Sequence, residues 1–316
     1  MTNAYFLNKK ILLTGGGGFV GAYVLTELLK RGVDKKNITI PRSKEFDLRK
    51  ENVCDKLTRG VDIVIHLAGN VGGIGYNREN PATLFYDNIM MGVNLIESAR
   101  VQKVKKFVQI GTICAYPKYT PVPFNESNLW NGYPEETNAP YGIAKKTLLV
   151  MLQSYRDQYG FNGIYLLPVN IYGPGDNFNP KSSHVIAAII KRIYDAKKTG
   201  VKEITVWGDG SATREFFYVE DAAQAIILAT ERYNGSEPVN IGAGFEISIK
   251  DLTEKLVTLM KFKGRLVWDK TKPNGQLRRC LDVSKAEKEF GFRATTKFDE
   301  GLKKTVEWYE KHPFIG

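Results

Sequence analysis

Cysteine and histidine are scarce in this chain. There are three of each in 316 residues: Cys54, Cys114 and Cys280, and His66, His184 and His312. Cysteines so few and scattered exclude a disulfide framework, and no Cys/His spacing fits a metal site. Long apolar runs are missing as well. No stretch approaches the roughly 20 residues that a membrane span needs, and Met1 to Lys10 carry no apolar segment of the signal-peptide kind. The expectation is a reduced, cytoplasmic protein with no membrane partner. Blocks of five or more basic residues are also absent, although Lys and Arg number 45 against 34 Asp and Glu, a formal net charge of +11. Such an excess suits nucleic acid or a polyanionic small ligand. Its even spread favours phosphate-bearing small molecules over nucleic acid.

What the chain does have is 43% hydrophobic residues, enough for one large core or two unequal ones. Short apolar runs alternate with helical periodicity. Lys10 to Thr14, Ile38 to Ile40, Asp62 to Leu67, Phe107 to Ile110 and Gly163 to Leu167 read as strands. Phe19 to Arg31, Pro81 to Val101 and Tyr141 to Tyr159 read as helices. Strand–helix alternation implies a parallel sheet covered on both faces. From about residue 170 the pattern loosens. Asn170 to Pro180 is a Gly/Pro-rich loop, followed by short strands at 204–207, 239–241 and 265–268 and helices at 221–233 and 249–260. The fold class is α/β: a Rossmann-type, doubly wound parallel sheet over 1–170, with a smaller C-terminal α/β lobe over 171–316 for substrate. The strand near Val239 is expected to return to the first sheet.

Thr14-Gly15-Gly16-Gly17-Gly18-Phe19-Val20-Gly21 sets glycines at 15, 18 and 21 directly between a strand and a helix. Gly15 permits the tight turn, Gly18 lets the backbone approach a diphosphate, and Gly21 lets helix and strand pack closely. The helix start supplies N–H groups and the positive end of a dipole. This points to a dinucleotide. Cofactor type depends on the end of the second strand, where an acid would take a ribose hydroxyl and a base a 2′-phosphate. Here Ile40-Pro41-Arg42-Ser43-Lys44 offers no acid. NADP(H) is therefore expected, with Arg42 on the phosphate unless it is a solvated loop arginine. Asp47 lies within reach of the adenine amine.

Tyr141 and Lys145 stand four apart, on one face of a helix. An ammonium beside a phenol favours the phenolate, so the pair is expected to lower the tyrosine pKa and make it a proton carrier near neutral pH.

Together with His66-Leu67-Ala68-Gly69, these features resemble the extended short-chain dehydrogenase/reductase superfamily. Within it the chain resembles the GDP-L-fucose synthase family, the GDP-4-keto-6-deoxymannose 3,5-epimerase/4-reductases. The matching blocks are Val71 to Ile74, Cys114 to Lys118, Tyr172 to Phe178, Ser183 to Ile186, Trp207 to Gly210 with Arg214 to Phe216, and Thr271 to Gly275 with Arg278 to Val283. The resemblance spans nearly the whole chain. It implies Cys114 and His184 as the acid/base pair and Tyr141 and Lys145 as the reductase pair. Thr112 takes the place of the hydroxyl that bonds the keto oxygen, where the family usually has serine. The cofactor residues it implies are Gly15, Gly18, Phe19, Val20, Gly21, Arg42, Asp47, Leu67, Ala68 and Pro168, beside Tyr141 and Lys145. The substrate residues are Asn170, His184, Arg192, Trp207, Arg214 and Lys272. One departure concerns the cofactor: Gly17 stands where some members have an arginine.

The implied reaction is NADPH-dependent epimerisation and reduction of a GDP-4-keto-6-deoxy sugar by a homodimer that uses its Pro81 and Tyr141 helices. Inverting carbons beside a ketone needs a base on one face and an acid on the other, with donors on the developing enolate oxygen. A thiol serves as base where a cation lowers its pKa, and a protonated imidazole serves as acid. Related tasks share these residues: a GDP-heptose or colitose precursor as substrate, or epimerisation with the cofactor retained.

Overall fold

The computed structural model describes residues 4–272 and 275–314. In chain order the elements are β1 (Ile11–Thr14), α1 (Phe19–Lys30), β2 (Ile38–Thr39), α2 (Glu51–Thr58), β3 (Ile63–His66), α3 (Ile74–Glu79), α4 (Pro81–Val101), β4 (Lys106–Ile110), α5 (Ala139–Tyr159), β5 (Gly163–Pro168) and β6 (Asn170–Tyr172). Then come α6 (Val185–Thr199), β7 (Glu203–Trp207), β8 (Thr213–Arg214), β9 (Phe216–Tyr218), α7 (Val219–Arg232), β10 (Val239–Ile241), β11 (Ile247–Ser248), α8 (Ile249–Leu259), β12 (Arg265–Asp269), β13 (Arg278–Arg279), α9 (Ser284–Phe290) and α10 (Phe298–Lys311). Single turns of 3₁₀ helix include Ile113–Ala115, just after β4.

Six strands form one sheet in the order β10-β5-β4-β3-β1-β2, and every pairing in it is parallel. The strands are largely apolar because helices cover both faces, and β1, β3 and β5 are buried at every position. β2 lies on one side of β1 and β3 on the other. That reversal opens a crevice beyond the carboxyl ends of β1 and β3, which is where ligands bind in open α/β sheets. The Gly15 turn and Leu67–Ala68 leave from those two strand ends. Thr14 and His66 are register partners there, and the Thr14 hydroxyl meets His66 Nδ1 at 2.7 Å. Burial holds the His66 imidazole down to about 3, so it is neutral and structural.

β10, about 70 residues after β5 in sequence, pairs with it through Val239↔Leu166 to Ile241↔Pro168. Outside the sheet, β7 pairs with β12, β6 with β9, and β8 lies between β11 and β13. These small sheets pack with α6, α8 and α10 around a second core of Ile186, Ile189, Ile190, Ile193, Leu252, Leu256 and Tyr309. α6 buries a stripe at 186, 189, 190 and 193, the spacing of one helix face.

Candidate active site

The cofactor end is built from backbone. Gly15 has φ +72° and lies so close to the third strand that a Cβ on it would stand 2.7 Å from the Ala68 nitrogen. A Cβ on Gly21 would come within 2.1 Å of the Gly15 carbonyl oxygen, so only glycine lets α1 start against the turn. Gly18 is the N-cap of α1, and its N–H donates to the Gly15 carbonyl at 2.9 Å. Phe19 and Val20 open the helix. Leu67 and Ala68 are fixed from across the crevice: the Leu67 N–H donates to the Thr14 carbonyl at 3.1 Å and the Ala68 N–H to the Thr14 hydroxyl at 3.4 Å. Pro168, buried at the end of β5, closes the row. The expected loop over 170–180 begins with β6, because Asn170 to Tyr172 pair with β9; the remainder, 173–180, folds back over α1, with the Tyr23 hydroxyl donating to the Pro174 carbonyl at 3.0 Å.

Arg42 settles over Gly17. An ideal Cβ at 17 would stand 1.5 Å from Arg42 Nη1, so the guanidinium fills the space a side chain there would take. Asp47 is already engaged: Arg49 grips its carboxylate through Nε at 2.9 Å and Nη2 at 3.0 Å, and these bonds hold the carboxyl below its usual range. Arg49 also reaches Asp87 at 2.9 Å, and Asn70 donates to the same carboxylate at 3.0 Å.

α5 carries Tyr141 and Lys145 to the crevice. Gly142, between them, packs directly on the Cys114 turn, where a Cβ would stand 2.2 Å from the Cys114 carbonyl oxygen. The Tyr165 hydroxyl donates to the Lys145 carbonyl at 2.8 Å and steadies the helix from behind. Thr112 caps the Cys114 turn, accepting the Cys114 N–H at 3.1 Å, and its hydroxyl lies near enough to the Tyr141 phenol to act on its pKa. Thr112, Cys114 and Tyr141 therefore form one group.

The expectation of a lowered tyrosine pKa is corrected. Burial raises the Tyr141 phenol above its ordinary value, with the Cys114 thiol adding to the rise, and the Thr112 hydroxyl opposes this only in part. Lys145 is itself buried, which brings its ammonium down to about 8. An ideal Cβ on Gly69 lies 3.8 Å from its Nζ, and its charge also bears on His66. The lysine thus faces the Gly69 loop, and desolvation governs the phenol.

On the other wall, β8 and β13 run parallel with Arg279 opposite Arg214. Residues paired in this way project to the same face. Burial first, and then the neighbouring Arg279, bring Arg214 down to about 9 against an upward pull from Cys114 and Glu135. Arg279 Nη1 donates to Cys114 Sγ at 3.7 Å. Reading the sequence gave Arg279 no role. The available signal was strand alternation: in a doubled arginine one side chain faces out and the other in, and here Arg278 is exposed and Arg279 buried. Sequence alone does not say which.

His184 is the exposed N-cap of α6, and desolvation by the atoms around it lowers its imidazole pKa. Among the described residues no hydrogen bond joins it to Cys114. Neighbouring segments touch near each of them. A Cβ on Gly73 would meet the Ser183 carbonyl oxygen at 2.6 Å, and one on Gly275 would meet Ile74 at 3.5 Å and Arg214 Nη2 at 3.3 Å. Further out, the Trp207 ring lies 6.0 Å from the Arg192 guanidinium and 5.7 Å from the Lys272 ammonium. Arg192 Nη1 also donates to the Thr205 carbonyl at 3.0 Å. A cleft of about 450 Å³ between α6 and β7 is lined by Arg192, Thr205 and Trp207 among others. Asn170 spends its amide on the Glu215 carbonyl at 3.0 Å. Of the Thr271 to Gly275 block, Pro273 and Asn274 lie outside the described residues.

A crevice with a glycine turn on one side, a Tyr/Lys helix beneath it and an arginine-lined cleft beyond defines a class of nucleotide-dependent sugar enzymes. The chain belongs to the NAD dependent epimerase/dehydratase family, whose model matches residues 11–242. It is 39% identical over 307 residues to GDP-L-fucose synthase 1 of Arabidopsis thaliana, covering 96% of this chain and 94% of that protein. Among solved structures it resembles a GDP-6-OMe-4-keto-L-xylo-heptose reductase from C. jejuni, at a TM-score of 0.88 and 27% identity over 96% of this chain and 98% of that one. A GDP-L-fucose synthetase from Naegleria fowleri bound to NADP gives a TM-score of 0.86 at 26% identity, with 96% and 95% covered.

Proposed function

We propose that this protein is an NADPH-dependent 3,5-epimerase/4-reductase of a GDP-4-keto-6-deoxy sugar. The observation that carries the reading is the group formed by Thr112, Cys114 and Tyr141 at the carboxyl edge of the sheet, with arginines facing it. The glycine turn suits a diphosphate, and Arg42 above Gly17 suits a 2′-phosphate that the turn itself has no side chain to hold. Gly15, Gly18, Phe19, Val20, Gly21, Arg42, Leu67, Ala68, Lys145 and Pro168 hold the cofactor, which when bound supplies the hydride for C4. Asp47 stays with Arg49 and meets the adenine only at the edge of that pair.

Arg192, Arg214 and Lys272 bind the GDP moiety beside Trp207, and Asn170 borders the sugar. The Cys114 thiolate takes the proton from C3 and then from C5. The bonding pair moves onto the C4 oxygen, where the Thr112 and Tyr141 hydroxyls receive it. His184 returns a proton on the opposite face. Its lowered pKa makes the protonated ring a stronger acid, and after each inversion solvent takes the proton from the Cys114 thiol and returns one to His184, which readies both for the second carbon. Tyr141 then gives its proton to O4 during reduction. A phenol raised by burial is protonated at neutral pH, so it begins as the donor this step needs.

The reading extends to a cytoplasmic homodimer. Its three free cysteines suit a reducing compartment. Tyr86 on α4 and Val150 on α5 are apolar and exposed, as a pairing face requires. A second reading, reduction without epimerisation of a GDP-4-keto-heptose, draws support from the likeness to the C. jejuni reductase. One experiment separates the two. The purified enzyme is given GDP-4-keto-6-deoxymannose and NADPH in heavy water. Deuterium at C3 and C5 with stoichiometric NADPH loss supports the epimerase/reductase, and loss of that label in Cys114→Ser supports its base. NADPH loss without label leaves the simple reductase.

A further inference from the structure

We infer that Arg279 is the cation that keeps Cys114 in its thiolate form, and that Gln276 is the residue that aims it. The inference rests on the reading of Cys114 as a base and names how that base is activated.

Arg279 is 8% exposed, and among the described residues no carboxylate lies within ion-pair distance of it. Among the described residues its side-chain partners are two: Nε donates to Gln276 Oε1 at 2.8 Å, and Nη1 donates to Cys114 Sγ at 3.7 Å. Gln276 is in turn fixed at its other end, where Nε2 donates to the Lys118 carbonyl at 2.7 Å. The line Lys118–Gln276–Arg279–Cys114 therefore begins and ends near the same loop, four residues apart in sequence, and closes into a clamp. The Arg279 backbone is pinned as well, its carbonyl accepting the Glu215 N–H at 2.9 Å. A guanidinium held at both the amide and the backbone cannot swing away from the sulfur without breaking bonds.

The register of β8 and β13 gives the physical reason for a negative charge at that point. Arg214 and Arg279 are cross-strand partners, and like charges so placed repel. The Arg279 guanidinium meets the thiol directly, and the Arg214 guanidinium and the Tyr141 phenol lie close enough to interact with it electrostatically, with the Glu135 carboxyl acting on Arg214 in turn. A thiolate in contact with Arg279 and near Arg214 offsets the repulsion between the two guanidinia, whereas a neutral thiol does not. The proton that leaves the sulfur goes to solvent before substrate binds. An arginine serving only the substrate diphosphate would have no need of a bond to the thiol.

The test uses substrate-free enzyme. The rate of Cys114 alkylation by iodoacetamide is followed against pH, with the labelled peptide identified by mass spectrometry. Cys54 and Cys280 are buried and give little background. Arg279→Gln is expected to move the midpoint of the profile up by about one pH unit or more, the shift usual for removing an adjacent opposite charge. Arg279→Lys is expected to fall between it and the native chain, since charge remains but the planar fork is lost. Gln276→Ala is expected to move the midpoint in the same direction by less. An unchanged midpoint in Arg279→Gln, with only the KM for the sugar nucleotide raised, would overturn the inference and leave Arg279 a phosphate ligand. Should Arg279→Gln lose its melting transition, Gln276→Ala decides alone: a raised midpoint supports the clamp and an unmoved one refutes it. No sugar is present in this assay. Failure of the deuterium experiment would therefore remove the epimerase reading without touching the alkylation result, and the reverse also holds.

Discussion

The glycine turn and the substrate cleft are built by opposite means. The turn occupies seven consecutive residues, and its shape follows from what those residues lack: side chains at Gly15, Gly18 and Gly21. The cleft follows from what distant residues bring. Thr112 and Cys114 come from the turn after β4, Tyr141 and Lys145 from α5, His184 from the start of α6, and Arg214 and Arg279 from two short paired strands. A contiguous backbone device is robust to its surroundings. A site assembled from five segments depends on register and on which face each side chain takes. One substitution should therefore damage shape in the first region and chemistry in the second.

Tyr141→Phe gives the sharpest form of that contrast. It removes one oxygen from the cleft and leaves the turn untouched. Reduction should fall by about 10³-fold, within the range for a lost general acid, while the affinity for NADPH stays within about twofold. Stopped-flow NADPH oxidation and a fluorescence titration measure the two. Equal losses in both would break the distinction between the regions. Gly21→Ala is the converse. Its Cβ must displace the Gly15 carbonyl, a strain of about 3 kcal/mol, so NADPH binding should weaken roughly 100-fold or the fold should be lost. If binding is retained, the turn is not the cofactor cradle.

Arg42→Ala should raise the KM for NADPH about tenfold and leave that for NADH nearly unchanged, as expected for one charge-assisted contact. Equal effects on both cofactors would make Arg42 a mere cover for Gly17.

The smallest effect concerns pH, and it compares buried cations at opposite ends of the sheet. Lys145 at the crevice is held to about 8 by burial. Lys106, at the start of β4, is held to about 7 by burial and by the Arg156 charge, with Asn234 Oδ1 accepting its proton at 2.8 Å. Both folded values lie below the unfolded value of about 10.4, so the unfolded chain binds more protons and stability should rise with pH from about 7. Cys54 and Cys280, each pushed up to about 12 by burial, act in the opposite sense once the unfolded thiols ionise near ~8.5. The two effects cancel between about pH 8.5 and 10.4, so the melting temperature should rise from about pH 7, level off at about pH 8.5 and fall above about 10.4. Lys106→Met should flatten the rise on the acid side. A melting temperature that falls steadily from pH 7 would contradict the assignment.

Much of the fold was legible because parallel strands buried on both faces must be largely apolar, and Ile11 to Leu13 and Ile63 to Ile65 are. Short helices were less so. α3 is six residues long, and its start beside Gly73 shows no pattern until Ser182 and Ser183 pack against it. The phenol was misjudged for a similar reason. Four-residue spacing puts Tyr141 and Lys145 on one face of a helix, but desolvation depends on what covers that face.

The sequence by itself determined the sheet, the glycine turn and the residue types available for proton transfer, because periodicity and missing side chains act over neighbouring positions. Only the tertiary structure decided that Arg42 lies over Gly17, that Arg279 rather than Arg278 points inward, and that Gln276 aims it at Cys114. Those facts depend on strand register and burial, which arise when segments far apart in the chain close on one another.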